Sequence, residues 1–259
     1  MPSILLSKAD GVATITLNRP EAYNSINSEL AHEWIAALDD CAADLDVRAI
    51  VLTGAGKAFC AGQDLKEVTD PGLNPGFEVL MKEHYSPIIR RLYTLEKPVV
   101  AAVNGVAAGA GANFALACDV IIATEKASFI QAFSAIGLIP DSGGTYTLPR
   151  IVGRAKAMAY AMLGDNISAT EAERVGMIYK AVSAEEFDST VAAISSRLAN
   201  MATKGLGLTK RAINASLDNS FDEQINLETT LQLEASSTDD YHEGVAAFVE
   251  KRKPNFKGC

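Results

Sequence analysis

Val99-Val-Ala-Ala-Val-Asn-Gly-Val-Ala-Ala-Gly-Ala-Gly-Ala-Asn-Phe-Ala-Leu-Ala-Cys-Asp-Val-Ile-Ile-Ala123 is the stretch on which the fold turns. It is almost all apolar or small, and it is long enough to be mistaken for a membrane span. Asn104, Asn113 and Asp119 interrupt it, and Gly105, Gly109 and Gly111 cluster inside it. A spanning helix carries large lipid-facing side chains and charged flanks. The pattern instead predicts a buried strand, a Gly-rich turn, a short helix and a second buried strand.

Outward from this stretch the same alternation recurs. Val12-Ala-Thr-Ile-Thr-Leu17 has period two, and Asn18-Arg-Pro20 ends it. A helix is expected from about Asn27, with Leu30, Trp34, Leu38, Cys41 and Leu45 on one apolar face. Ala49-Ile-Val-Leu52 reads as a buried strand, as do Pro98–Val103 and Val120–Ala123. Buried strands interleaved with helices make an α/β chain. Asp70-Pro-Gly-Leu-Asn-Pro-Gly76 is a surface loop, either beside a site or a tolerated insertion. Towards the C-terminus, Ser168-Ala-Thr-Glu171 and Ser183-Ala-Glu-Glu186 fit the capping box. Helical patterns then cover 185–200, 206–217, 221–235 and 241–251. We divide the chain into a core, 1–200, and a helical region, 201–259. The second is too thin in apolar residues for a core of its own, so it packs on the first or on another subunit.

A chain of 259 residues buries enough surface to need neither disulfides nor metal. With 48% hydrophobic and 21% charged residues it is not disordered, fibrous or a coiled coil. The net charge is −9 and no Lys/Arg-rich run occurs, which disfavours nucleic acid as a partner. Cys41, Cys60, Cys118 and Cys259 form no CxxC pair and have no His at ligand spacing, so free thiols and no metal site are expected. The opening MPSILLSKADG lacks a signal-peptide apolar run, and a cytoplasmic, non-membrane protein is expected.

Several motifs fail. Gly54-Ala-Gly-Lys57 lacks the rest of a phosphate loop, with Ala58 where Ser or Thr is needed. No GxGxxG appears, and Ser142 has no GxSxG frame. His32 and His242 lie in surface-like helical patterns, and His84 is read as a solvated helix position rather than a site residue. A Ser-His-Asp hydrolase is therefore unsupported.

Three segments survive: Ala58-Phe-Cys-Ala-Gly-Gln-Asp-Leu65, Asn104-Gly-Val-Ala-Ala-Gly-Ala-Gly-Ala-Asn113, and Gly137-Leu-Ile-Pro-Asp-Ser-Gly-Gly-Thr145. Each reads as a strand-to-helix turn of small residues, where a ligand meets free backbone N–H groups. In this order and spacing they resemble the enoyl-CoA hydratase/isomerase (crotonase) superfamily. Leu17-Asn-Arg-Pro20 with Asn24, and Glu243–Arg252, fit the family's start and end. Phe59–Leu65 taken with Gly137–Asp141 and Leu148-Pro-Arg150 is most similar to the phenylacetate-pathway branch acting on ring-1,2-epoxyphenylacetyl-CoA.

The resemblance implies a crotonase-like spiral of ββα units with a C-terminal helical trimerisation region. It implies homotrimers, often paired into hexamers, and an acyl-CoA thioester substrate with no separate cofactor. It implies an oxyanion hole from the backbone N–H groups of Gln63 and Ala110, which leaves the side chain of Gln63 without a required role. Such donors stabilise the charge that grows on a thioester oxygen as an enolate forms. Family hydratases use two glutamates; the matching positions are Asn113 and Phe133. Asn is no base, which argues against simple hydration. The remaining acid, Asp141, matches the catalytic aspartate of the isomerases. On residue type alone Asp141 reads as an N-cap for the next helix; with the whole family pattern it reads as the base. Ala61, Gly62, Gln63, Asp64 and Leu65 are expected along the CoA path through their backbone. Phe248 and Lys251 match positions near the nucleotide, donated by a neighbouring subunit, or are simply solvated; Lys66 is open to the same two readings. The expected enzyme is an acyl-CoA isomerase, with a general hydratase, a 3,2-enoyl-CoA isomerase or a non-catalytic CoA-ester binder as rivals.

Overall fold

The computed structural model describes residues 1–259. Strand β1 (Ile4–Ala9) and β2 (Val12–Leu17) form a hairpin through Asp10-Gly11, both at positive φ. That pairing is the residue choice a two-residue turn with two left-handed positions demands. The sequence reading has no strand before Val12. The reason is that β1 is an edge strand with only Ile4 buried, so it carries no alternation. In β2 every second residue is buried, as its period predicts.

Helix α1 (Ser28–Ala43) starts where Asn27 caps it, its side chain accepting from Leu30 N–H at 3.0 Å. Leu30, Trp34, Leu38 and Cys41 are buried on one face. Leu45 is not; it lies past the helix end and is exposed.

Then follow β3 (Ala49–Gly54), β4 (Ala58–Cys60), α2 (Leu65–Thr69) and α3 (Phe77–Val79). A single π-helical turn, Leu80–Tyr85, leads into α4 (Ser86–Thr94). Next come β5 (Val99–Val103), β6 (Val106–Ala108), α5 (Ala110–Leu116), β7 (Val120–Thr124) and β8 (Ser128–Ile130). The quoted stretch is therefore two strands, a glycine turn, a short helix and a further strand; the extra short β6 is the one addition to the reading. No helix is long and apolar enough to cross a membrane.

The strands fall into two sheets. A six-stranded sheet has the order β1-β2-β3-β5-β7-β10, with β10 at Lys180–Val182, and a four-stranded sheet has the order β4-β6-β8-β9, with β9 at Asn166–Ser168. The pairs β3/β4, β5/β6 and β7/β8 each send their first strand to the larger sheet and their second to the smaller. Chain order thus winds as a spiral, with parallel pairing between successive turns.

A 3-10 turn at Ser134–Ile136 precedes α6 (Gly144–Leu163), which is broken at Gly153. The chain then forms β9 (Asn166–Ser168), α7 (Ala169–Arg174), β10 (Lys180–Val182) and α8 (Ala184–Ala199). Ser168 and Ser183 do cap α7 and α8. Glu171, however, turns to Lys156 and Arg174 instead of completing a box. The full reciprocal box stands at Ser220 and Glu223, ahead of α10.

The last helices are α9 (Thr203–Ala215), α10 (Phe221–Ser236) and α11 (Asp239–Glu250). Polar ties fix the first of them to the core. Lys210 donates to Leu92 C=O at 2.7 Å and pairs with Asp119 at 3.0 Å. Arg48 reaches the carbonyls of Met201 and Phe256. Only Leu231 is buried on α10, while Phe221, Ile225 and Leu233 stay exposed.

Candidate active site

The first two motif loops are brought together by sheet register. Strands β4 and β6 are parallel neighbours, with Cys60 opposite Ala107. Gln63 and Ala110 each follow three residues after that pair. Gly111 lets α5 press onto β4, because a Cβ there would strike Cys60 C=O. Gly62, at φ +88°, lies against the second loop: a Cβ on it would sit 2.8 Å from Ala108 C=O and 3.5 Å from Ala110 N. Both positions need glycine for close approach.

Two backbone N–H groups are left free here. Ile26 bridges to Gln63 in parallel fashion, donating to Gly62 C=O at 2.7 Å and accepting from Asp64 N–H at 3.0 Å. In that pattern the N–H of Gln63 itself points away from Ile26. Ala110 is the first residue of α5, so its N–H has no acceptor within the helix. Both residues line a cavity of about 490 Å³.

The third loop supplies the acid. Asp141, Phe133, Ile136 and Leu138 line the same cavity. Ile139 does not; it is exposed. Asp141 is no helix cap, since Gly143 holds that position without a side-chain bond. One carboxylate oxygen of Asp141, Oδ1, is buried with no hydrogen-bond partner. Burial pushes its pKa from 3.8 up to about 6, against a smaller opposing pull from Ser142 and its own backbone. Its main chain, by contrast, is well held. Asp141 C=O accepts from Gly144 N–H and from Asn113 Nδ2, each at 2.8 Å. Asn113 Oδ1 accepts from the buried Gln131 at 2.9 Å. Asn113 is therefore a brace behind Asp141, and Phe133 is an apolar wall.

Other expected residues fall elsewhere. Ala61, Gly62, Gln63 and Leu65 line the cavity, but Asp64 does not. Its buried carboxylate pairs with Arg19 at 2.7 Å and accepts from Lys66 N–H at 2.9 Å, capping α2. Phe248 is 85% exposed and borders a separate cavity with Tyr241 and Phe256; Lys251 ends α11 in a left-handed turn. Within one chain neither meets the Asp141 cavity.

Sequence reasoning misses Tyr85 and misreads its neighbour. His84 is 1% exposed, not solvated; it packs edge-on against His32 at 5.0 Å, and burial lowers its pKa. Tyr85 is buried against Phe114, lines the cavity, and donates to Gln63 Oε1 at 2.5 Å. The π-helical turn that aims it leaves no periodic signal in the sequence. Val68, Asn74, Phe77 and Leu80 complete the wall.

The arrangement can stabilise an oxyanion and move one proton. Comparison with known proteins gives the family. The family described as enoyl-CoA hydratase/isomerase matches residues 7–259. The 1,2-epoxyphenylacetyl-CoA isomerase of Escherichia coli (strain K12) is 47% identical over 260 residues, covering 100% of this chain and 99% of that one. A probable enoyl-CoA hydratase of Rhodobacter capsulatus is also 47% identical, covering 96% of each. The crystal structure of enoyl-CoA hydratase from Bacillus anthracis superposes with a TM-score of 0.92 at 33% identity, covering 99% of this chain and all of that one. The chain belongs to the enoyl-CoA hydratase/isomerase family and has the crotonase fold.

Proposed function

We propose that this enzyme is an acyl-CoA isomerase that uses Asp141 as its single proton carrier. The observation that carries the reading is one carboxylate with a buried, unpartnered oxygen in a mostly apolar cavity, sharing that cavity with two free backbone N–H groups. Asp141 takes a proton from the carbon alpha to the thioester carbonyl. The N–H groups of Gln63 and Ala110 hold the resulting enolate oxygen. The proton then returns at the far end of the conjugated system. A 3-enoyl thioester becomes its 2-enoyl isomer. For a ring-1,2-epoxyphenylacetyl thioester, a double bond forms between the alpha carbon and ring carbon 1, the bond between the two epoxide carbons breaks to give the seven-membered oxepin ring, the electrons pass along the ring diene, and the proton returns to ring carbon 6. Both conversions leave composition and oxidation level unchanged, so they balance without a redox cofactor.

The ring epoxide is the favoured substrate because of likeness to the E. coli isomerase over the full chain. The R. capsulatus relative, a probable hydratase at the same identity, supports a second reading, hydration. A hydratase of two carboxylates has no counterpart here, since Asn113 braces Asp141 and Phe133 is apolar. We further propose a cytoplasmic homotrimer or pair of trimers, in which Phe248 and Lys251 reach the CoA nucleotide of an adjoining subunit.

The test is mass spectrometry after incubation in heavy water, with a 3-enoyl-CoA and with the ring epoxide. A product of isomeric composition carrying deuterium is expected. A product heavier by one water overturns the isomerase in favour of the hydratase.

A further inference from the structure

The family resemblance gives Gln63 a role only through its backbone, yet its side chain is held in place. Tyr85 donates its phenol proton to Gln63 Oε1 at 2.5 Å, and this is the only hydrogen bond of that hydroxyl. Tyr85 is itself fixed, 2% exposed and packed edge-on against Phe114, which packs in turn on Trp34. With the carboxamide oxygen turned to the phenol, the amide nitrogen must face the other way. Gln63 Nε2 is buried and has no acceptor. A buried donor left without a partner is rare in folded proteins, and this one stands on a cavity wall, where it faces whatever fills the cavity.

The other polar side chains on the cavity wall are already occupied. Asn74 donates to Val68 C=O and accepts from Gly76 N–H. Tyr85 is committed to Gln63, and Asp141 is an acceptor that carries the proton. The rest of the acyl-side wall is Leu65, Val68, Phe77, Leu80, Phe133, Ile136 and Leu138. Gln63 Nε2 is therefore the one free side-chain donor in an apolar pocket. The thioester oxygen is served by the two backbone N–H groups, so this donor awaits a second oxygen.

We propose that the Gln63 carboxamide, oriented by Tyr85, donates from Nε2 to an oxygen atom on the acyl group and so selects oxygen-bearing rings over hydrocarbon ones. The proposal rests on the isomerase reading for its substrate and deepens it: an oxygen on the acyl ring, such as that of an epoxide, is what the donor would recognise. Gln63 touches the ligand; Tyr85 is a positioning residue that acts through it.

The test is binding, which does not depend on turnover. Dissociation constants are measured for 2-hydroxyphenylacetyl-CoA and phenylacetyl-CoA, with thermal melts to confirm folding. The wild type is expected to prefer the oxygenated ring roughly tenfold, the worth of one buried hydrogen bond. Gln63→Met, which keeps the length and removes the donor, brings the two ligands near parity. Tyr85→Phe, which frees the carboxamide to turn, loses most of the preference without touching Gln63. No preference in the wild type overturns the proposal, and so does a preference that survives Gln63→Met. Should Gln63→Met not fold, a full preference retained in Tyr85→Phe overturns the orienting role on its own. A clear preference in an enzyme that isomerises neither a 3-enoyl-CoA nor the ring epoxide sinks the isomerase reading and leaves this one standing.

Discussion

The two walls of the cavity are built on opposite plans. The wall of Ala61–Leu65 is held from behind by its neighbours. Ile26 clamps Gly62 and Asp64 from behind, Arg19 and Asp64 form a buried ion pair, and Asp64 caps α2. The opposite wall, Gly137–Gly143, has three residues in left-handed conformations, Gly137, Ser142 and Gly143. Its apolar side chains Leu138 and Ile139 are exposed, and its one acid is unpartnered. The acid next to Gln63 is neutralised by an arginine; the acid opposite is kept dry and free. The difference teaches which carboxylate is structural and which can do chemistry. Fixed donors stabilise a developing charge because nothing has to reorganise. A base must instead be poised to change its charge.

Removing the free acid is the sharpest way to test that contrast. Asp141→Asn is expected to lower kcat by on the order of 10³-fold, the scale of general acid–base catalysis, while CoA-ester binding survives in calorimetry. Turnover that persists would move the chemistry to another group. Next in size is Gly62→Ala, whose Cβ would crowd Ala108 C=O and the N–H cradle. A loss in kcat of about 10²-fold is expected in steady-state kinetics, since one donor of such a pair is worth that much.

On the tied wall the expected effect is on stability first. Arg19→Met strands the Asp64 carboxylate, which is buried beside α2. A loss of about 3 kcal/mol is expected in urea unfolding, as for other buried pairs broken on one side. A negligible loss would show that the clamp at Ile26 suffices.

The smallest effects concern pH. The pKa of Asp141 is raised to about 6, so kcat/KM should climb as pH rises and level off above that value. Stability runs the other way. Between 3.8 and about 6 the folded protein holds a proton that the unfolded chain has released. Unfolding therefore becomes easier as pH rises through that window. Asp141→Asn should in consequence be more stable than the wild type at pH 7, by up to about 3 kcal/mol, with the gain fading below about pH 4. Equal stability of the two at pH 7 would mean that the carboxylate is better solvated than its surroundings suggest.

Much of the fold and part of the site are legible in the sequence, and the remainder is silent there for definite reasons. The period of Val12–Leu17, the cap at Asn27 and the apolar run from Val99 are local signals, and each element forms where they lie. The edge strand Ile4–Ala9 is silent because one-sided exposure removes the alternation that betrays a strand. The positions of Gln63, Ala110 and Asp141 follow from motif resemblance; residue type alone reads Asp141 as a helix cap, and the turn that puts Gly143 at the cap position decides against it. Asn113 carries no hint of its contact with Asp141, twenty-eight residues away. His84 and Tyr85 are hidden by the π-helical turn, which shifts side chains off the helical period that sequence patterns are read against.

The pairing of Cys60 with Ala107 makes the β-sheet a ruler. Parallel neighbours lie about 4.8 Å apart wherever they occur, because the peptide hydrogen bond sets that spacing. The gap between the two N–H groups starts from that spacing and is shaped by the left-handed glycines Gly62 and Gly109 that lead out of the strands. Part of the acyl wall, by contrast, is drawn from Val68, Phe77 and Leu80 on the connection between β4 and α4, outside both sheets. Gauge and cargo space are thus separate parts of one chain. Side chains along that connection can change what the cavity accepts without moving the strands that lead into the two N–H loops.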